Sequence, residues 1–166
     1  TGIQHVIQFG YNAPFLRSLS LGKTGGDPAS YVRLFQELHH FTHLEALDVS
    51  INNLTDLDLP EILTCVCQST TLTELDLSTN AFTLQGVVLI CEALQEHPSI
   101  RNLYIQGLKV TDISPPVLEL MKHNLQLERL ECSPYAHDFN NISLQEALHN
   151  NRIRHQTLVE CCNTLQ

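Results

Sequence analysis

The sequence has few basic side chains and no tryptophan. Its 166 residues contain nine Lys and Arg against 18 Asp and Glu, which gives a formal net charge of −9. Proteins that bind nucleic acid need a basic face to neutralise phosphates, so this composition argues against nucleic acid as a partner. The charge fits a protein partner with a basic surface, although many proteins are acidic only for solubility.

Long apolar runs are also missing. No segment approaches the roughly 20 apolar residues that a membrane-spanning helix needs, and no secretory signal peptide is recognisable. The sequence therefore predicts no insertion into a membrane. The chain begins with Thr1 rather than Met, which we interpret as the start of a trimmed fragment.

Sequence motifs of known catalytic or cofactor sites are absent as well. There is no G-x-S-x-G, no phosphate-binding loop, no H-E-x-x-H and no pair of carboxylates in a recognisable catalytic frame. We therefore predict that the chain is not an enzyme and holds no cofactor.

A spaced pattern of apolar residues is what the sequence does contain. The segment LTELDLSTNAF places Leu72, Leu75, Leu77 and Phe82 around Asn80. Copies of this pattern begin at Leu16, Leu44, Leu72, Ile100, Leu127 and Ile153, so their spacings are 28, 28, 28, 27 and 26 residues. A spacing this constant over six copies indicates a repeat protein whose units must stack to bury their apolar faces.

Each repeat is predicted to contain a strand and a helix. Leu75 and Leu77 alternate with period two and so face inward, while the Asn80 amide can satisfy backbone groups inside the following turn. Between the strands, apolar residues follow helical spacing, as at Tyr31, Leu34, Phe35 and Leu38, Leu59, Ile62, Leu63 and Val66, Val87, Ile90, Cys91 and Leu94, and Val117, Leu120 and Met121. Asp27 followed by Pro28 is typical of a helix start, and Ser143 with Glu146 forms a capping box.

The pattern L-x-x-L-x-L-x-x-N-x-L resembles the leucine-rich repeat. A unit near 28 residues with a helix, clearest in GVVLICEALQEHPSIRNLYI from Gly86 to Ile105, resembles the ribonuclease-inhibitor class. The resemblance implies an α/β horseshoe solenoid of about six βα repeats, with parallel strands on its concave face and helices on its convex face. We expect a single domain over 1–166, with an N-terminal cap at 1–15, repeats at 16–161 and a tail at 162–166.

Several positions depart from this pattern. Leu108 and Tyr135 replace the asparagine, and Gln156 replaces a leucine. An irregular loop is expected at 133–141.

The outward strand positions are the predicted working surface. Asp48, Glu74 and Asp76 form an acidic group beside Tyr104, which can anchor a partner as an aromatic side chain. The alternative is a solvated face without a specific partner. The predicted partner-binding residues are Glu45, Asp48, Glu74, Asp76, Arg101, Tyr104, Glu128, Arg129 and Glu131.

Histidine and cysteine clusters do not indicate a metal site. His39, His40 and His43 lie near a helix end, where cationic side chains are common, and no carboxylate or cysteine completes a recognisable ligand spacing. Cys91 and Cys132 occupy apolar repeat positions, and no cysteine-rich cap is recognisable among the six cysteines. We expect free thiols and a reducing, cytoplasmic environment.

The functional prediction is a monomeric, non-catalytic module that binds a protein partner through its concave face. Proteins of the resembled class act in inhibition, immune sensing, cytoskeletal regulation and bacterial effector biology. Two alternatives stay open, a substrate-recognition fragment of a larger enzyme and an inhibitor of a basic enzyme. A composition rich in Asn, Gln, His and Leu and poor in Lys and Arg favours a bacterial effector that is secreted into a host cell.

Overall fold

Helices and three-residue strands alternate along the chain. The computed structural model describes residues 2–13, 15–108, 113–132 and 149–150. The elements in these ranges are α1 (Gly2–Gly10), β1 (Ser18–Ser20), α2 (Pro28–Gln36), a 3-10 turn (Leu38–His40), β2 (Ala46–Asp48), α3 (Leu59–Gln68), β3 (Glu74–Asp76), α4 (Leu84–Leu94), β4 (Asn102–Tyr104), α5 (Ser114–His123) and β5 (Arg129–Glu131).

The five strands form one parallel sheet in the order β1-β2-β3-β4-β5. The middle residues of the strands lie in register, and they are Leu19, Leu47, Leu75, Leu103 and Leu130. Neighbouring helices also contact one another, α2 with α3, α3 with α4 and α4 with α5. Because sequential strands and sequential helices are neighbours, each repeat stacks on the next, which confirms the predicted βα solenoid.

The core lies between the sheet and the helices. Leu47, Leu75 and Leu103 are at most 1% exposed, so the predicted inward direction of the strand leucines is confirmed. The apolar stripes predicted on the helices from Tyr31 to Met121 are buried as well. Asp27 caps α2, where its carboxylate accepts a hydrogen bond from the backbone N–H of Ser30 at 3.0 Å.

Buried asparagines join the turns that follow the strands. The Asn80 side-chain oxygen accepts hydrogen bonds from the backbone N–H groups of Asn52 and Leu54 at 3.0 and 3.1 Å. Its amide NH₂ donates to the carbonyls of Val49 and Leu77 at 3.2 and 2.9 Å. One side chain thus satisfies four backbone groups in two repeats, as the sequence predicted for the turn.

A second set of polar side chains joins the segments that enter the strands. The His97 Nε2 atom donates to the carbonyl of Val66 at 3.0 Å, and its Nδ1 atom accepts from the N–H groups of Ser99 and Ile100. In the next repeat, Asn124 does the same with its amide. These bonds require a neutral His97, and burial lowers the pKa of its imidazole.

The first helix covers the start of the solenoid. Ile3 and Ile7 are buried in the common core, and Gly10 lies so close to Phe41 that an added Cβ atom would be 2.1 Å from its ring. In contrast, Phe9 and Phe15, two apolar residues within the expected 1–15 cap, are 61% and 80% exposed and do not cover the core. The boundary of the 1–15 cap stays a prediction.

Several expectations concern residues outside the described ranges. They are the sixth repeat beginning at Ile153, the capping box at Ser143–Glu146, the loop at 133–141, the Tyr135 and Gln156 departures and the tail at 162–166. Leu108, the departure that lies inside those ranges, is buried. None of the described helices combines the length and apolarity needed to cross a bilayer.

We predict that Asn80→Ala strongly destabilises the solenoid. The substitution removes the side-chain partner of the Asn52 and Leu54 N–H groups and of the Leu77 carbonyl, whereas the Val49 carbonyl still accepts from the Asn52 amide. Each buried group left unpaired costs about 1–3 kcal/mol, so the free energy of unfolding should fall by about 3 kcal/mol or more. Urea denaturation followed by circular dichroism measures this change. Asn12→Ala, at an exposed position, is the control. A loss below about 1 kcal/mol for Asn80→Ala would contradict the role assigned to its amide.

We predict that His97 makes stability depend on pH. Because the folded-state pKa lies below the ordinary value of 6.5, the unfolded chain binds the proton more readily. The contribution of His97 to the free energy of unfolding is therefore complete above pH 6.5, and it is lost as the pH falls through the folded-state pKa. His97→Asn, which places at this position the side chain that Asn124 has in the next repeat, should reduce the loss of stability between about pH 7.5 and about pH 5.5 in urea denaturation. The control is His5→Asn on α1, and an unchanged pH dependence in His97→Asn would contradict the prediction.

Candidate functional site

Strand register arranges the outward side chains in two columns. The third residues of the strands form one column, which is Ser20, Asp48, Asp76, Tyr104 and Glu131. The first residues form the other, which is Ser18, Ala46, Glu74, Asn102 and Arg129. We call these ten positions the concave strand face. The sheet thus brings six of the nine predicted partner-binding residues onto one surface.

Three carboxylates on β2 and β3 form the acidic patch, which we define as Asp48, Glu74 and Asp76. Asp48 and Asp76 are register partners on adjacent strands, and Glu74 lies two residues before Asp76. All three side chains are half-buried. Strands in a sheet lie about 4.8 Å apart, so like charges at these positions repel one another and cost stability.

Hydroxyl and backbone groups stabilise the charge on Asp48. Its Oδ2 atom accepts a hydrogen bond from the Ser20 hydroxyl at 2.6 Å, and Oδ1 accepts from the Ser50 N–H and hydroxyl at 2.9 and 2.7 Å. Burial alone would raise the pKa of this carboxyl, but the hydrogen bonds outweigh burial and hold the pKa below its ordinary value. Asp48 therefore carries its negative charge at neutral pH.

The other two carboxylates are also oriented by hydrogen bonds. The Glu74 Oε2 atom accepts from the Asn102 amide at 3.0 Å, and the Asp76 Oδ1 atom accepts from the Ser78 N–H at 2.8 Å. Among the described residues, the ion pairs do not include any carboxylate of the acidic patch.

The charged residues just before the strands pair with each other. Arg17 forms an ion pair with Glu45, and Arg101 forms one with Glu128, in each case between adjacent repeats. Glu45 is one of the predicted partner-binding residues, but the guanidinium of Arg17 offsets its charge. Pairing between adjacent repeats depends on side-chain conformation, which the spacing of the leucines does not encode.

Tyr104 lies beside the acidic patch and is covered by a cation. The Arg129 guanidinium carbon is 5.5 Å from the centroid of the Tyr104 ring, and the Arg129 Nε atom donates to Glu131 at 2.7 Å. Burial and the neighbouring Glu74 carboxylate raise the pKa of the Tyr104 hydroxyl. The ring is thus a neutral, half-buried aromatic surface between opposite charges.

The apolar repeat pattern does not predict a role for the serines that donate hydrogen bonds to the acidic patch, which are Ser20, Ser50 and Ser78. The signal was present, because Asp48 and Asp76 each stand two residues before a serine, a spacing at which an aspartate commonly accepts the backbone N–H. The repeated Asp-x-Ser motif is therefore a local support for the charge.

A carboxylate joins two of the three clustered histidines. Glu37, His39 and His40 place one ligand atom each within 4.8 Å of the others. The sequence shows no recognisable ligand spacing around these histidines, but the 3-10 turn after α2 brings the Glu37 carboxylate beside two of the imidazoles. His43 lies elsewhere, with its ring centroid 5.5 Å from that of Phe15.

The chain resembles leucine-rich repeat proteins in sequence and in structure. A family model described as leucine-rich repeat matches residues 40–59 and 68–91, which include β2 and β3. No curated protein matches the sequence.

Three solved structures show the fold. The leiomodin-1 actin-binding site 2 domain has a TM-score of 0.84 at 16% identity, over 100% of this chain and 99% of that one. The tropomodulin C-terminal domain from Caenorhabditis elegans has a TM-score of 0.75 at 16% identity, over 92% and 98%. The Chaetomium Mex67:Mtr2 structure gives 0.56 at 20% identity, over 88% and 98%. The chain is thus an α/β leucine-rich repeat solenoid.

Proposed function

We propose that this chain is a non-catalytic module that binds a protein partner through its concave strand face. The observation that carries the proposal is the acidic patch, where Asp48, Glu74 and Asp76 lie on adjacent strands beside Tyr104. A basic segment of the partner would be bound there by charge, and the aromatic ring would contact its apolar atoms.

The pairing of the surrounding charges supports a basic partner. Glu45 and Glu128 have arginine partners, and Glu131 accepts from Arg129. The ion pairs of the described residues do not include the three carboxylates of the patch, which accept hydrogen bonds from hydroxyl and amide donors instead. A lysine or arginine side chain from a partner would add an opposite charge where like charges now oppose one another.

The structural neighbours suggest where to look first. The leiomodin-1 domain is named as an actin-binding site, and its fold matches this chain over its full length. At 16% identity that likeness concerns the fold, so actin enters only as the first purified protein to test.

The setting of this function is part of the proposal. The strands recur every 28 residues from β1 to β4 with a helix between them, which favours the ribonuclease-inhibitor class. Cys91 and Cys132 are free thiols in the core, which suits a reducing compartment. We further propose that the chain acts as a monomer and that it is a bacterial effector secreted into host cells.

The binding site is tested with a variant in which neutral amides replace two carboxylates of the acidic patch. Glu74→Gln with Asp76→Asn removes two charges and keeps the side-chain shape and one acceptor oxygen on each residue. Affinity capture from eukaryotic cytosol, with purified actin as a separate arm, compares this variant with the parent chain. We expect a partner whose binding is weakened by high salt and falls by about tenfold or more in the variant, which corresponds to about 1.4 kcal/mol.

The control is Glu92→Gln with Glu96→Gln, which removes the same charge at exposed positions in and just after α4. It should bind as the parent does. Equal binding by the concave variant together with lost binding by the control would move the site to the helical side and refute the proposal.

Secretion into a host is tested separately. A reporter enzyme fused to the complete gene product should be detected in the cytosol of infected host cells. Detection only inside the bacterium, with normal expression, would refute the effector assignment while leaving the protein-binding module intact.

A further inference from the structure

Two imidazoles and one carboxylate meet at the edge of the solenoid, beside α1. Glu37 ends α2, and His39 and His40 lie in the 3-10 turn that follows it. One ligand atom from each lies within 4.8 Å of the others. We propose that these three side chains bind a divalent transition-metal ion, with Zn²⁺ as the best match to the ligand set, and that solvent fills the fourth position.

The distance between two of the ligand atoms fits tetrahedral zinc. His40 Nε2 and Glu37 Oε2 are 3.3 Å apart. Zinc binds imidazole nitrogen and carboxylate oxygen at about 2.0–2.1 Å, so two ligands of a tetrahedral site are separated by about 3.3–3.4 Å. The pair therefore already has the separation that two ligands of a tetrahedral zinc site require.

The backbone fixes the tautomer of His39. Its Nδ1 atom lies 2.9 Å from the carbonyl oxygen of Gln36. A carbonyl only accepts, so Nδ1 carries the proton and the lone pair of the neutral ring is on Nε2. Histidine ligands of zinc commonly donate their other N–H to a carbonyl in this way, which orients the ring.

A side chain from the segment after α1 holds the carboxylate. The Tyr11 hydroxyl donates to Glu37 Oε2 at 2.7 Å, and its ring meets that of His40 edge-on with centroids 4.6 Å apart. The His39 and His40 ring centroids are 3.9 Å apart. Tyr11 thus orients two of the three ligands from outside the cluster, and a bound ion would link the segment that follows α1 to the first repeat.

The test is isothermal titration calorimetry, in which zinc chloride is added to the purified chain. The parent should bind one zinc ion. The affinity should fall at least tenfold in His39→Ala, His40→Ala and Glu37→Gln. Tyr11→Phe retains the ring contact with His40 but loses the hydroxyl, so it should weaken binding by about tenfold. X-ray absorption of the zinc complex should show two imidazoles among nitrogen and oxygen ligands.

His123→Ala is the matched control, because His123 is also exposed and lies 3.0 Å from a carboxylate oxygen of Glu119. It should bind zinc as the parent does. Circular dichroism establishes that each variant is folded, and the near-isosteric Glu37→Gln decides the question if a histidine variant is not. Absence of binding by the parent, or equal binding by folded Glu37→Gln, would overturn the proposal.

Discussion

Hydrogen bonds between consecutive repeats are the interaction on which this structure depends. A strand of three residues has no stability of its own, and one repeat cannot bury its leucines alone. In register, Leu47, Leu75 and Leu103 stack into one apolar row, while Asn80 joins the backbone of two successive turns. The sheet, the packing of the helices and the concave strand face all follow from this stacking.

The same stacking brings like charges together on the concave strand face and also positions the groups that stabilise those charges. Parallel register brings Asp48 next to Asp76, where their charges repel. The hydrogen bonds from Ser20 and Ser50 keep Asp48 charged nonetheless. Because hydrogen bonds fix the orientation of these carboxylates, they would lose little side-chain freedom on binding a partner.

The sequence predicts most of the fold because the period is regular. Leucine and asparagine recur at the positions that Leu75 and Asn80 occupy in their repeat. Their burial can therefore be predicted without knowing which distant residues they contact. The candidate site is predicted less completely. Column membership follows from register, but the pairing of Arg17 with Glu45 depends on rotamers, and the approach of Glu37 to His40 depends on a 3-10 turn that leaves no periodic signal.

The segment before each strand shows how such a repeat can change its sequence while keeping its shape. Three residues ahead of the first strand-side apolar residue, the chain has Ser69, His97 and Asn124 in successive repeats, and each side chain accepts a backbone N–H there. What this position requires is a side chain that accepts a hydrogen bond from the backbone, and more than one amino acid can provide it. Substitutions among such residues are therefore open to neutral drift, whereas the leucines of the strands are not. One backbone is therefore compatible with very different sequences, and the leiomodin-1 domain matches the fold of this chain at 16% identity.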